Sequence, residues 1–176
     1  MKNNVLKFGI IAGAINAIFI LIASFLMDGD TAFKNAELLG YTGMAIAFSM
    51  IVIGMIMERQ ARGGIINYVP TLMVGLKIAL IASAIYVTTW MIITAIKPEI
   101  IEGMFKMMEE NLRSKELPAT DFKDQLEQMN TWRTYYANPL TKIVMTFIEI
   151  FPLGAIISAI AAIFIFRKSP VTAPEA

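Results

Sequence analysis

The sequence predicts an all-α integral membrane protein of four transmembrane helices, with an extramembrane amphipathic helical hairpin between helices 3 and 4. Three observations carry that expectation. The chain has 176 residues, of which 57% are hydrophobic and only 16% charged. Its mean hydropathy is +0.64, too apolar for a soluble domain of ordinary composition. It also contains four apolar runs near the length of about 20 residues that crosses a bilayer as a helix.

The runs cover residues 8–27, 38–57, 70–96 and 140–166. Lys2 and Lys7 before the first run imitate a secretory signal. The uncharged stretch from Phe8 to Met27 exceeds the roughly 7 to 15 residues of a signal core, and Asp28-Gly29-Asp30 follows in place of a small-residue cleavage site. It is therefore read as a retained helix. Lys77 interrupts the third run and Glu149 the fourth. An acidic turn from Asp28 to Glu37 and a polar loop from Glu58 to Asn67 join the first three. Asp28 and Asp30 offer oxygen ligands to a cation, but two acids in a short turn read by default as solvated. The tail 169–176, with Pro170 and Pro174, is expected to be disordered, and residues 1–168 to form a single membrane domain.

The long polar stretch 98–138 carries helical periodicity. Ile101, Met104, Phe105, Met108 and Leu112 recur on one face among Glu102, Lys106, Glu109 and Arg113. Leu117-Pro118 breaks that helix. Thr120 is expected to cap a second one, in which Phe122, Leu126, Met129 and Tyr136 share a face. Asn138-Pro139 then ends it and opens the last run. Such a hairpin either caps the bundle or rests on the lipid surface, and the same stretch could instead dock an envelope protein.

Composition excludes more than it assigns. Without Cys or His there are no thiolate nucleophiles, disulfides, imidazole bases or the usual zinc and haem ligands. The 13 Met residues are scattered and read as flexible core fillers rather than metal ligands. A net charge of +1 gives no reason to expect nucleic acid. No nucleophile elbow, phosphate loop, zinc-protease or dinucleotide motif occurs, so no catalytic residue, metal or cofactor is assigned and the chain is read as a non-enzyme.

Short basic flanks set the expected orientation. Lys2, Lys7, Arg59, Arg62 and the Arg167-Lys168 pair border helices in short segments, where positive residues favour the cytoplasmic side. Both termini are thus placed in the cytoplasm of a bacterial inner membrane, with 98–138 outside. Trp90, Trp132, Tyr135 and Tyr136 then form an aromatic belt at the outer surface.

Small residues recur at four-residue spacing in every run: Gly9 and Gly13; Gly43 and Ala47; Gly75, Ala79 and Ser83; Gly154, Ser158 and Ala162. Such ridges let helices approach closely, either within one bundle or across a homo-oligomer interface. A rise of about 1.5 Å per residue sorts the polar residues into layers. Asn16, Ser49, Lys77 and Ser158 fall about 10 to 12 Å from the cytoplasmic ends, and Tyr41, Tyr86 and Glu149 about 24 to 25 Å, with Trp90 slightly beyond. The candidate intramembrane polar site is therefore Glu149, Tyr86, Trp90, Tyr41, Lys77 and Asn16. Glu149 is the centre of it, expected to face the bundle interior near a helix kink at Pro152. A neutral Glu149 hydrogen-bonded across helices is the structural reading; a proton or ligand site is the functional one. Lys77 reads first as a side chain that snorkels to the interface.

Arg62-Gly63-Gly64-Ile65-Ile66, Ile85-Tyr86-Val87 with Trp90, and Asn138-Pro139-Leu140 leading to Thr146-Phe147-Ile148-Glu149-Ile150-Phe151-Pro152-Leu153-Gly154 resemble domain-of-unknown-function family 4199. The resemblance runs from Lys7 to Lys168. It implies a small four-helix membrane protein, mostly of the Bacteroidota, and brings no activity, substrate or cofactor. It also implies an acid directly after the third-run Trp in some relatives, where this chain has Met91. Two functional readings follow: a non-enzymatic structural or partner-binding membrane protein, or a small proton-coupled transporter or channel subunit using Glu149.

Overall fold

The computed structural model describes residues 2–26, 30–115 and 117–167. Among them are six helices: α1 (Lys2–Leu26), α2 (Asp30–Ala61), α3 (Tyr68–Ile96), α4 (Glu99–Ser114), α5 (Ala119–Ala137) and α6 (Pro139–Ile165). Within α1, α2, α3 and α6 lie four segments long and apolar enough to cross a membrane: Asn3–Ser24, Gly40–Ala61, Tyr68–Ile96 and Pro139–Ile165. The Asp28-Gly29 turn, the Asp30 side chain and the tail 169–176 lie outside the described residues.

Helix α2 begins at Asp30 rather than at residue 38, so most of the stretch expected as an acidic turn is helical. The segment holds helix formers such as Ala32, Lys34, Ala36 and Glu37. Hydropathy marks only where such a helix becomes apolar, not where it starts. A second difference concerns Thr120. Helix α5 starts at Ala119 behind Pro118, with no side-chain cap. Thr120 sits in the first turn and donates its hydroxyl to Asp121 at 3.3 Å. Pro118, at φ −53, is preset for a helix entrance and takes the position expected of Thr120. Asn138 does cap α6, its side chain accepting from the Leu140 amide at 2.9 Å, with Pro139 in the first turn.

The small-residue ridges meet one another inside the chain. A Cβ added to Gly9 or Gly13 would fall on Ile81 or Ile85, so α1 lies alongside α3 in the same direction. Gly43 meets Phe19 and Gly54 meets Phe8, which sets α2 antiparallel to α1. Gly75 meets Ser158 and Gly154 meets Ala79, which sets α6 antiparallel to α3. Helix α3 thereby packs against α1, α2 and α6 together. Around it Ile51, Met55, Ile78, Ala79 and Ala162 form a core with at most 1% exposure. Hydroxyls inside the apolar helices are satisfied locally: Thr88, Thr94, Thr146 and Ser158 each donate to the carbonyl one turn back.

At one end of the bundle α2 stops in a Schellman turn. Gly64 N–H donates to Arg59 O at 2.9 Å and Gly63 N–H to Gln60 O at 3.0 Å, with both glycines at positive φ (74° and 85°). Replacing either by alanine is expected to lower stability by about 1 kcal/mol, since a Cβ strains that backbone. Denaturant titration of the purified variants checks this. A pair of backbone hydrogen bonds between Ile66 and Arg167, at 3.0 and 2.8 Å, fastens this turn to the end of α6.

At the opposite end Lys97 donates to Ser24 O at 3.2 Å, a cation on the carbonyl end of α1. Helices α4 and α5 follow there as an antiparallel pair. Arg133 lies over the Phe105 ring and Arg113 over Phe122, at 5.3 and 5.9 Å, and Phe105 meets Tyr136 edge-on at 5.9 Å. The expected stripes form the contact: Phe105, Leu112 and Met129 are buried, Phe122, Leu126 and Tyr136 partly so, and Lys123, Asp124 and Glu127 are exposed.

Candidate functional site

The inward face of α6 is set by Thr146, Ile150, Gly154, Ser158, Ala161 or Ala162, and Ile165, all buried at helical spacing. Glu149 precedes Ile150 by one residue, about 100° around the helix. Its side chain therefore leaves the bundle interior, where it was expected, and stands exposed on the flank of α6. It is not isolated there. Tyr86 of α3 and Tyr136 of α5 both lie close enough for their phenols to feel the Glu149 charge and, at Tyr86, for the two phenols to interact. Thr146, one turn before Glu149, lies near enough to Tyr136 to act on its phenol as well.

One carboxyl and two phenols thus converge from three helices, one of them in the hairpin. Burial pushes the Tyr136 phenol above its ordinary value of 10.0, and the Glu149 carboxylate pushes it further, while Thr146 pulls the other way. The folded chain therefore holds this proton more tightly than the unfolded chain. Tyr136's contribution to stability is complete below about pH 10 and is lost as pH rises beyond it. Chemically, the cluster can accept or donate a proton. Among the described residues no group of three or more acids offers a metal site.

The other expected members lie elsewhere. Tyr41, expected at the depth of Glu149, is 63% exposed, and the contacts of Gly43 with Phe19, Gly13 with Ile85 and Gly154 with Ala79 set it nearer the start of α6 than Glu149. Trp90 is half-buried one turn beyond Tyr86. Asn16 is buried at 3% exposure, and its Nδ2 has no partner among the described residues. Lys77 is exposed on α3. Pro152 sits within α6, which remains helical on both sides of it.

A second polar cluster was not anticipated from sequence. Glu58, at the end of α2, is 1% exposed. Asn4 Nδ2 donates to one of its oxygens at 3.2 Å, and Arg62 Nε to the other at 3.0 Å. Next to it Arg59 donates to Ile165 O at 3.1 Å. Three helix ends are thereby held together around one carboxylate, which a reading of Glu58 as the start of a solvated loop misses.

Comparison with curated proteins and with solved structures finds no match for the chain. The family profile described as "Protein of unknown function (DUF4199)" matches residues 7–167, bearing out the resemblance in the three motifs, and the chain belongs to that family.

Proposed function

We propose that this chain is a non-enzymatic protein of the bacterial inner membrane, with both termini cytoplasmic, whose four-helix bundle is a rigid base for the α4–α5 hairpin on the outer face. The hairpin is the working surface, offered to an envelope protein or to lipid. The observation that supports this reading best is the closed bundle centre. Gly75, Gly154 and Ser158 let α3 and α6 touch, and the residues around them are almost fully buried, so the interior is built for fixity rather than passage. The cluster of Glu149, Tyr86 and Tyr136 then acts as the latch between hairpin and base.

Glu149→Gln keeps size and hydrogen-bonding capacity, whereas Glu149→Leu keeps a similar size and removes the polar group. Hydrogen exchange of α5 is expected to be unchanged in the glutamine variant and about fivefold faster in the leucine variant, for the loss of about 1 kcal/mol. Equal exchange in all three proteins would end the latch reading. Orientation is tested separately. Ser114→Cys and Gln60→Cys should react with an impermeant thiol reagent from opposite sides of spheroplast membranes, with Ser114→Cys outside.

The exposed carboxyl of Glu149 favours a second reading, a small proton-coupled transporter or channel subunit. Proteoliposomes separate the two. Dissipation of an imposed pH gradient by the wild-type chain, abolished in a normally folded Glu149→Gln variant, would establish the transporter. No dissipation leaves the base-and-hairpin reading in place.

A further inference from the structure

A groove of about 540 Å³ opens on the outside of the bundle between α1 and α3, at the end where α2 makes its Schellman turn. Its walls are apolar, from Leu6 on one side to Met73, Val74 and Ile81 on the other, and two cationic side chains, Arg62 and Lys77, line it with them. Leu6 and Met73 are 52% and 44% exposed, so the groove faces away from the core.

Charge at this end is one-sided. Lys7, Arg59, Arg62, Lys77 and Arg167 belong to it, and Glu58 is the only acid there among the described residues. Glu58 presents almost no charge outward, because it is 1% exposed and its oxygens are taken by Asn4 and Arg62. Arg62 gives its Nε to Glu58, yet a third of its side-chain surface (33%) remains accessible. Lys77 lies nine residues into α3, about 14 Å from the helix start, and its flexible stem can carry the ammonium back toward that end.

We infer that this groove binds one anionic glycerophospholipid, its phosphate held between Lys77 and Arg62 and one acyl chain laid along Leu6, Met73, Val74 and Ile81. The inference rests on the reading of α1 and α3 as membrane helices, since only then does lipid reach the groove. Charge complementarity selects the occupant. A zwitterionic lipid brings its own cation to a rim that already carries two, whereas an anionic headgroup offsets them. A soluble anion would leave the apolar walls uncovered, and a neutral helix from another protein would leave Lys77 without a counter-charge.

The test uses the full chain, purified in detergent and stripped of lipid, and native mass spectrometry with phosphatidylglycerol or phosphatidylcholine added to the micelles at equal concentration. One bound phosphatidylglycerol per chain is expected, with an affinity at least about fivefold above that for phosphatidylcholine, as about 1 kcal/mol per cation at a membrane surface gives. Lys77→Gln should remove this preference and Lys77→Arg should keep it. Lys123→Gln, on the exposed face of α5, should leave it unchanged. Equal retention of the two lipids by the wild-type chain, or an undiminished preference in Lys77→Gln, would overturn the assignment. So would displacement of phosphatidylglycerol by inorganic phosphate alone, which identifies a soluble anion, or a dimer mass in place of the lipid adduct, which identifies a second copy as the occupant. Lys77 is exposed and without structural duties, so these variants fold, which circular dichroism verifies. Failure of the membrane reading looks different: the chain would then stay soluble and monodisperse when detergent is withdrawn.

Discussion

Gly75→Val is expected to destabilise the bundle by about 3 kcal/mol, the upper part of the range for overpacking a tight interior. A Cβ at Gly75 would come within 2.7 Å of both Cβ and Oγ of Ser158 and 2.8 Å of Met55 Sδ. The methionine can yield by changing rotamer, but Ser158 Cβ is fixed to its own backbone, so α6 itself must move outward. That movement also parts Gly154 from Ala79, a second contact that admits no Cβ. Gly40→Val is the control, because nothing lies within 4 Å of the added Cβ there and its cost is limited to helix propensity. Unfolding in mixed micelles of increasing denaturing-detergent fraction, followed by circular dichroism, measures both. Equal midpoints for the two variants would mean that the α3–α6 contact is not closed as described.

Glu58→Ala should cost about 3 kcal/mol by the same assay. Breaking a buried ion pair costs roughly 3 to 5 kcal/mol when the remaining charge is stranded. The lower end applies because the 33% exposed side chain of Arg62 can recover some water. Asn4 loses its acceptor as well, so the N-terminal turn of α1 should loosen. Glu58→Gln keeps an oxygen for Asn4 and loses the charge pairing, and is expected to fall between wild type and alanine. In a double-mutant cycle the costs of Asn4→Ala and Glu58→Ala should not add, because both remove one shared contact. Full additivity would show that the contact contributes nothing in solution.

How much of this was legible in the sequence depended on the kind of information each feature needs. The four long helices required only length and apolarity. The pairing of Glu149 with Tyr86 followed from depth, since a constant rise places residues on different helices at comparable heights. Depth says nothing about direction around the helix axis. Glu149 leaves the interior because Ile150 occupies the inward position, and Tyr41, expected beside it, is 63% exposed and nearer the start of α6. Tyr136 was assigned to the aromatic belt, and its approach to Glu149 became visible only once α5 was seen to lie against α6. Glu58 needed more still. Its burial depends on Asn4, 54 residues earlier, arriving beside it, and no local pattern announces a contact of that range.

The central position of α3 also bears on how the chain is made. Synthesis delivers α1, α2 and α3 first, and these three already share most of their contacts, so they can settle as a unit while the remainder is still emerging. The ridge of Gly75 and Ala79 stays unfilled during that interval, because its mate on α6 is separated from it by the whole of α4 and α5. Residue 167 must leave the ribosome before its backbone can reach Ile66. Closure of the bundle therefore waits until α6 has been made, and a ribosome stalled before the end of α6 would hold a half-built protein with its narrowest seam unfilled.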